Sequence, residues 1–329
     1  MKRKIVSAVA AGFAAFSLLA AGYGGASRAQ NPAQPALDRA NENAAFKNCG
    51  TPDADPDTQM DIAEHGRTKK AQMESAGQAV VLRAPGSVTV GVRFHVMVDP
   101  ATNNGFVPQS QIDAQVAALN EDFASAEAPS TSTTAGATPF RFQLLSVNYH
   151  YNAAWYAASQ GSTAESQMKR AVRDADGNGA SDEGPNVLYF YTNNTGGGNI
   201  GGWATFPWNY AANPLMDGVV VLWKSLPGGA IGAAYNEGEI GSHEVGHWVG
   251  LWHTFQGDCR KPGDEVEDTP YESVFQARAC PEGSDTCKRM PGADPIHNFM
   301  DYTYNTCQWE FTKGQAARAD EKSQVYRGL

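Results

Sequence analysis

The chain has 329 residues, with 25 basic against 35 acidic side chains and 34 glycines. That length allows one large domain or two small ones, with an ample core. The modest acidic excess argues against a nucleic-acid binder, and the glycine content calls for many turns.

Residues 1–29 read as a secretory signal peptide. Lys2-Arg3-Lys4 is a basic start, Ile5 to Ala21 is apolar and small, and Ser27-Arg28-Ala29 suits cleavage after Ala29. The apolar run is short for a membrane anchor, and no stop-transfer charge cluster follows. No other segment is apolar enough to span a bilayer, so an exported, extracellular protein with no membrane attachment is expected. Residues 30–85 form a separate region. Asn31-Pro32-Ala33-Gln34-Pro35 is linker-like, Asp53 to Asp57 is acidic and broken by proline, and Glu64 to Lys70 is charged. Little here can make a core, so the region is expected to be poorly packed or removable, and basic sites between Arg67 and Arg83 suit processing.

The ordered domain, 86–329, opens at Val88. Val88, Val90, Val92, Phe94, Val96 and Val98 alternate at strand period. Ser110 is placed to cap a helix whose Ile112, Val116, Leu119 and Phe123 recur at helical spacing and back a sheet. Strands are predicted at Phe140 to Tyr151, Val187 to Thr192, Gly202 to Pro207 and Asp217 to Trp223, with a helix over Ala164 to Arg173. The short Gly202 strand is expected to be an edge that can pair with a peptide. Asp174-Ala175-Asp176-Gly177-Asn178-Gly179 copies the first half of a calcium loop, but Pro185 stands where the closing Glu belongs, so a polar turn is the preferred reading. Asn193-Asn194-Thr195 is a glycosylation sequon whose use depends on the host. Beyond Gly238 comes a helix, then glycine-rich irregular sequence to Cys307, and a last helix over Lys313 to Tyr326 capped by Thr312. An α/β domain with five strands is therefore predicted, followed by a loop-rich C-terminal half, with a cleft between them.

The chemistry gathers at His243-Glu244-Val245-Gly246-His247-Trp248-Val249-Gly250-Leu251-Trp252-His253, an H-E-x-x-H-x-x-G-x-x-H pattern. His243 and His247 lie one helical turn apart on one face and can reach one zinc ion. Glu244 can lean toward a water on that metal as general base. Gly250 can take a positive φ and turn the chain, bringing His253 round as a third ligand. Three neutral nitrogens and one open position make a catalytic rather than a structural zinc site. Cys259, Cys280, Cys287 and Cys307 cluster behind this motif, and Cys49 stands apart. The four allow three disulfide pairings, and the fifth needs an explanation of its own. Asp264, Glu267, Asp268 and Thr269 offer hard oxygens in a nearby loop, suited to calcium.

His243 to His253, with Met300 in Asn298-Phe299-Met300-Asp301-Tyr302, resembles a metzincin metalloprotease. Gly202 to Trp208, Asp217 to Val221, Tyr235 to Gly238, His253 to Gly257, Asp268-Thr269-Pro270 and Phe311 to Gln315 narrow the resemblance to the pappalysin family, and to its small secreted members of ulilysin type, over about residues 88 to 326. The resemblance implies a secreted zinc endopeptidase with a mixed, twisted sheet, a backing helix and a zinc-site helix. It implies zinc on His243, His247 and His253, Glu244 as proton carrier, and Tyr302 as a hydrogen-bond donor to the oxyanion. It also implies disulfides Cys259–Cys287 and Cys280–Cys307, each stabilising by roughly 3 to 4 kcal/mol through loop closure. Asp264, Glu267 and Thr269 become calcium ligands. Residues 30–85 become a propeptide that inhibits its own enzyme, with the Cys49 thiolate in the open zinc position. Protein or peptide substrates and a monomer are expected. One residue departs from the pattern: relatives that cut before Arg or Lys carry an acidic residue just before the last cysteine, where this chain has Thr306, so a broader or apolar preference is equally expected. The competing readings are a calcium-stabilised exported binding module with a vestigial zinc site, which has no need of Glu244, and an astacin- or matrixin-type enzyme.

Overall fold

The computed structural model describes residues 47–273 and 279–329. The signal-peptide reading of residues 1–29 lies outside them, and no described helix is long and apolar enough to cross a membrane. In chain order the elements are β1 (Lys47–Cys49), α1 (Pro56–Ser75), β2 (Val88–Val98), α2 (Gln109–Asp122), β3 (Phe140–Tyr151), α3 (Ala153–Tyr156), α4 (Thr163–Arg173), β4 (Val187–Asn193), β5 (Ile200–Ala204), β6 (Val219–Leu222), α5 (Glu239–Trp248) and α6 (Lys313–Arg327).

The five strands expected from the sequence are present, and a sixth joins them. The sheet order is β1-β5-β6-β4-β2-β3. β2 pairs parallel with β3 and β4, and β4 parallel with β6, whereas β5 runs antiparallel to β6. The sixth strand, β1, comes from the region expected to be poorly packed and lies parallel on β5. The same region also carries α1. Asp55 caps it, accepting from the backbone N–H groups of Asp57 and Thr58, and Pro56 opens it. The helix is solvated along most of its length, which is why its sequence shows no core pattern. Ser110 is not a cap either: α2 starts at Gln109 after Pro108.

Burial explains the element choice. Val90, Val92, Phe94, Val96 and Val98 are buried along β2, together with Ile112, Leu119 and Phe123 of α2, Phe190 of β4, and Val245 and Trp248 of α5. Every member of this core lies at Val90 or later, so the body owns its core without the segment that precedes it. α2 backs α5 directly. Gln115 Nε2 donates to Gly238 O at 3.0 Å, and the Ser242 hydroxyl donates to Asp122.

The far end of α5 is pinned by a buried ion pair. The Arg327 guanidinium donates to both Asp217 oxygens at 3.0 Å, and its Nε donates to Trp248 O at 2.8 Å. Trp248 Nε1 donates to Asp217 Oδ2 at 3.1 Å, and the guanidinium lies over the indole ring at 3.7 Å. Burial alone would raise the Asp217 carboxyl, but the Arg327 charge and hydrogen bonds outweigh it and hold the carboxyl below its usual value. C-terminal helix, sheet and zinc-motif helix thus meet at one charge pair. Replacing Arg327 by Met is expected to lower the unfolding free energy by about 3–5 kcal/mol, because it strands a buried carboxylate. The double replacement Asp217→Leu, Arg327→Met should lose clearly less in urea titrations. A single variant as stable as the parent would show that the pair does not brace the helix.

Candidate active site

α5 begins at Gly238, whose φ of 115° starts the helix in a conformation that disfavours side chains. It carries His243, Glu244 and His247, all buried. Gly250, at φ 105°, turns the chain back. The turn has two effects. It brings His253 against His247, and it places Leu251 O where His247 Nδ1 can donate to it at 2.8 Å. His243 Nδ1 meets Phe299 O at 2.7 Å, from the turn that carries Met300. With both Nδ1 atoms committed to carbonyls, the Nε2 atoms must act as acceptors or ligands.

They point at one another. His247 Nε2 and His253 Nε2 stand 3.1 Å apart, and His243 Nε2 is buried with no hydrogen-bond partner. Cys49 Sγ lies 3.6 Å from His247 Nε2, and ligand atoms of Cys49, His243, His247 and His253 all fall within 4.8 Å of one another. Burial pushes His243 down to about 3 and His247 down as well, and burial with the Glu244 charge pushes the Cys49 thiol well up. A divalent cation suits this set: it needs neutral imidazoles, favours a thiolate, and separates lone pairs that otherwise repel. Three imidazole nitrogens and one sulfur in a buried site make a donor set that fits zinc.

Glu244 is fully buried beside the cluster. Its Oε2 faces Cys49 Sγ at 3.5 Å and accepts from Thr51 Oγ1 at 3.2 Å, while Oε1 has no partner. Burial raises this carboxyl to about 8, with the two hydrogen bonds pulling the other way. Gly202 of β5 makes the closeness possible, since a Cβ there would stand 2.8 Å from Glu244 Cγ. Met300 is fully buried beneath α5 and faces Gly246, where a Cβ would collide with its sulfur. The Tyr302 hydroxyl lies 3.2 Å from His253 Nε2 and donates to Cys49 O at 3.3 Å.

The segment around Cys49 fills the cleft. Lys47 N donates to Asn199 O at 2.8 Å and Gly50 N to Gly202 O at 2.7 Å, so β1 occupies the β5 edge. Two further contacts were not foreseen from the sequence. Asp53 Oδ1 meets His253 Nδ1 at 2.6 Å, and the Thr51 hydroxyl also accepts from Ala204 N at 2.9 Å. A Thr and an Asp two and four residues after a cysteine were the available signal.

Behind the site, disulfides join Cys259 to Cys287 and Cys280 to Cys307. In the Asp264 loop the predicted oxygens divide. Asp264 and Thr269 are buried next to each other, close enough for the Thr269 hydroxyl to lower the Asp264 carboxyl by hydrogen bonding. Glu267 is exposed, and Asp268 is spent on Thr312 Oγ1 and Gly314 N at the start of α6. The Asp174 turn gathers Asp174, Asp176 and Asp182, but each accepts from backbone N–H groups of its own loop.

Comparison with known proteins agrees with this geometry. Residues 189–323 match the family model described as Pregnancy-associated plasma protein-A. The chain is 36% identical over 284 residues to an extracellular metalloprotease of Neurospora crassa, covering 85% of this chain and 89% of that one. An extracellular metalloprotease of Verticillium alfalfae is 37% identical over 251 residues, covering 75% and 79%. Among solved structures, mirolysin in complex with a compound superposes with a TM-score of 0.59 at 26% identity, over 72% of this chain and 91% of that one. A promirolysin mutant of Tannerella forsythia gives a TM-score of 0.64 at 23% identity, over 84% and 94%, and shares the fold.

Glu272 and Asp301 form a second buried carboxyl group behind the Met300 turn. Glu272 Oε2 accepts from Thr254 Oγ1 at 2.9 Å, and Asp301 Oδ1 accepts from Tyr302 N at 2.6 Å. Burial raises both, and the Asp301 charge raises Glu272 further. The folded pair therefore keeps a proton that unfolded carboxyls, near pH 4, release. The stability it brings is fully present below about pH 4 and is lost as pH rises through the folded values, by about 1.4 kcal/mol per pH unit for each proton. Urea unfolding in calcium-free buffer from about pH 5 to 8 should show this decline. Glu272→Gln should flatten it, and an unchanged slope in that variant would acquit the pair.

Proposed function

This chain belongs to the pappalysin family of metzincin zinc metalloproteases, and on that premise we propose that it is a secreted endopeptidase made as a latent proenzyme. The observation that carries the reading is the convergence of His243, His247 and His253 on a buried centre with Glu244 at its side and Cys49 across it. The extracellular names of the fungal relatives support export. The proposed division is a signal peptide over 1–29, a propeptide over 30–85 and the catalytic domain over 86–329.

His243, His247 and His253 would hold the zinc. When bound, zinc supplies a Lewis acid that polarises the scissile carbonyl and lowers the pKa of an adjacent water toward neutrality. The protein's own groups then divide the work. Glu244 accepts the proton of the attacking water and delivers it to the leaving amine. The Tyr302 hydroxyl would hydrogen-bond to the oxyanion, a contact that can contribute a few kcal/mol. β5, once β1 leaves, offers a free edge of N–H and C=O groups to pair with an extended substrate. Met300 packs the floor and takes no part in the chemistry.

Latency follows from the same contacts. Cys49 Sγ sits among the three histidines, where it would hold off water and substrate, Thr51 engages Glu244, and Asp53 engages His253. The decisive assay is cleavage of a mixed peptide library by the full chain before and after limited trypsin. Cutting should appear after trypsin and stop with a zinc chelator. Glu244→Gln should lower kcat/KM by on the order of 10²- to 10⁴-fold while zinc still binds, and Cys49→Ser should cut before trypsin. A zinc-loaded, folded parent that cuts nothing would favour the binding-module reading.

Calcium at Asp264 and Thr269 is part of the proposal, supported by a buried carboxyl and a buried hydroxyl side by side. Burial raises the Asp264 carboxyl to about 7, a cost that a cation would offset. Glu267, being exposed, would join only after turning inward. Calcium should raise the Tm of the parent and leave that of Asp264→Asn unchanged. Equal shifts in both would move the ion elsewhere.

A further inference from the structure

The sheet has a second core on the face turned away from the zinc-motif helix. Side chains alternate along a strand, so Tyr189 and Tyr191 of β4 point to this face, while Phe190 between them joins the core beneath α5. α4 covers the two tyrosines with Met168 and Val172. The same helix carries Glu165, Lys169 and Arg173, all buried.

The buried charges around Tyr191 do not balance. Lys169, Arg173 and Arg327 are cations, and Glu165 and Asp217 are the carboxylates that act on this tyrosine. Lys169 pairs with Glu165 at 2.9 Å, and Arg327 pairs with Asp217 at 3.0 Å. Arg173 is left over. It is fully buried, and its Nε, Nη1 and Nη2 all lack hydrogen-bond partners among the described residues. Its Cζ sits 4.1 Å from the centre of the Tyr189 ring. That contact attracts the cation but supplies no lone pair to its N–H groups. A guanidinium does not lose its proton in a protein, so the charge is permanent.

The neighbouring side chains cannot cancel that charge. Burial raises the Tyr191 hydroxyl far above its ordinary value, so it stays protonated, and it too has no partner. His95, whose ring centre lies 5.4 Å from that of Tyr189, is pushed down to about 3 by burial and then by the charges of His150, Arg93 and Arg173, so it is neutral. Glu183 spends Oε1 on Arg93, which leaves Oε2 as the rival acceptor on this face. Water could take some of the Arg173 hydrogens, but it is neutral and would need acceptors for its own. A small anion accepts from every side and cancels the charge.

We propose that Arg173 holds a halide ion, chloride in solution, between α4 and the sheet. The ion would complete a set of three buried ion pairs, with Lys169–Glu165 and Arg327–Asp217 as the other two. Full burial of Arg173 restricts the ligand to a monatomic anion or one scarcely larger. The proposal is independent of the peptidase reading, since the site lies across the sheet from the zinc centre. It touches that centre only through the brace of α5. Burial disfavours the charge of Arg327, and the Arg173 charge adds to the effect, which an anion at Arg173 would relieve.

The test is thermal unfolding of the full chain, with zinc and calcium supplied as acetates. Sodium chloride is exchanged for sodium gluconate at a fixed ionic strength of about 0.2 M, so that general screening is constant. Chloride should raise the Tm of the parent by at least about 2 °C over gluconate. Arg173→Met should erase the difference. Crystals of the parent grown from bromide give a second readout that does not depend on the variant's folding. Anomalous density against the Arg173 nitrogens would support the site. Equal Tm values in chloride and gluconate, or a chloride effect that survives Arg173→Met, would overturn it. So would bromide crystals in which Arg173 meets only ordered water or Glu183 Oε2.

Discussion

Two imidazole nitrogens 3.1 Å apart, both buried and both with their opposite ring nitrogens engaged, form an arrangement that repels itself unless a cation lies between them. Much of the surrounding structure exists to hold it. The Gly250 turn both delivers His253 and provides the carbonyl that orients His247. The Met300 turn provides the carbonyl that orients His243 and then packs its sulfur under Gly246. α2 supports one end of the helix through Gln115 and Asp122, and the Asp217–Arg327 pair supports the other. A helix braced at both ends keeps its ligands within the few tenths of an ångström that metal bonds tolerate.

In the proposed proenzyme, the segment around Cys49 uses the site's own preferences against it. It places sulfur where the donor set wants an anion, a hydroxyl on Glu244, a carboxylate on the outer nitrogen of His253 and a strand on the open edge of β5. Each contact satisfies a group that would otherwise be stranded in a closed cleft. On the proposed reading, the same group would become available for substrate when the segment goes.

Long periodic elements and the metal motif were legible in the sequence because their signals are local. Val88 to Val98 alternates over eleven residues and forms β2 with those bounds. His243, Glu244 and His247 are ordered by helical spacing alone, and a glycine at position 250 announces the turn. What escaped the sequence depends on partners distant along the chain. β1 is three residues with no pattern of its own and exists because β5 has an unpaired edge. α1 is solvated and carries no apolar stripe, so only Asp55 and Pro56 mark its start.

The three residues of β1 would scarcely hold an edge as a free peptide, because so few hydrogen bonds do not offset the freedom lost in ordering them. They hold here because α1 and the strap that follows tie them to the body, through contacts such as Lys70 with Glu321 and Arg83 with Asp320. Within one chain, the thiol faces the site at an effective concentration of millimolar order. On the proposed reading, a single cut between Cys49 and Val88 would remove that covalent advantage. Inhibition would then become an ordinary encounter between two molecules at the far lower concentration of a secreted enzyme, and dilution would make the release one-way.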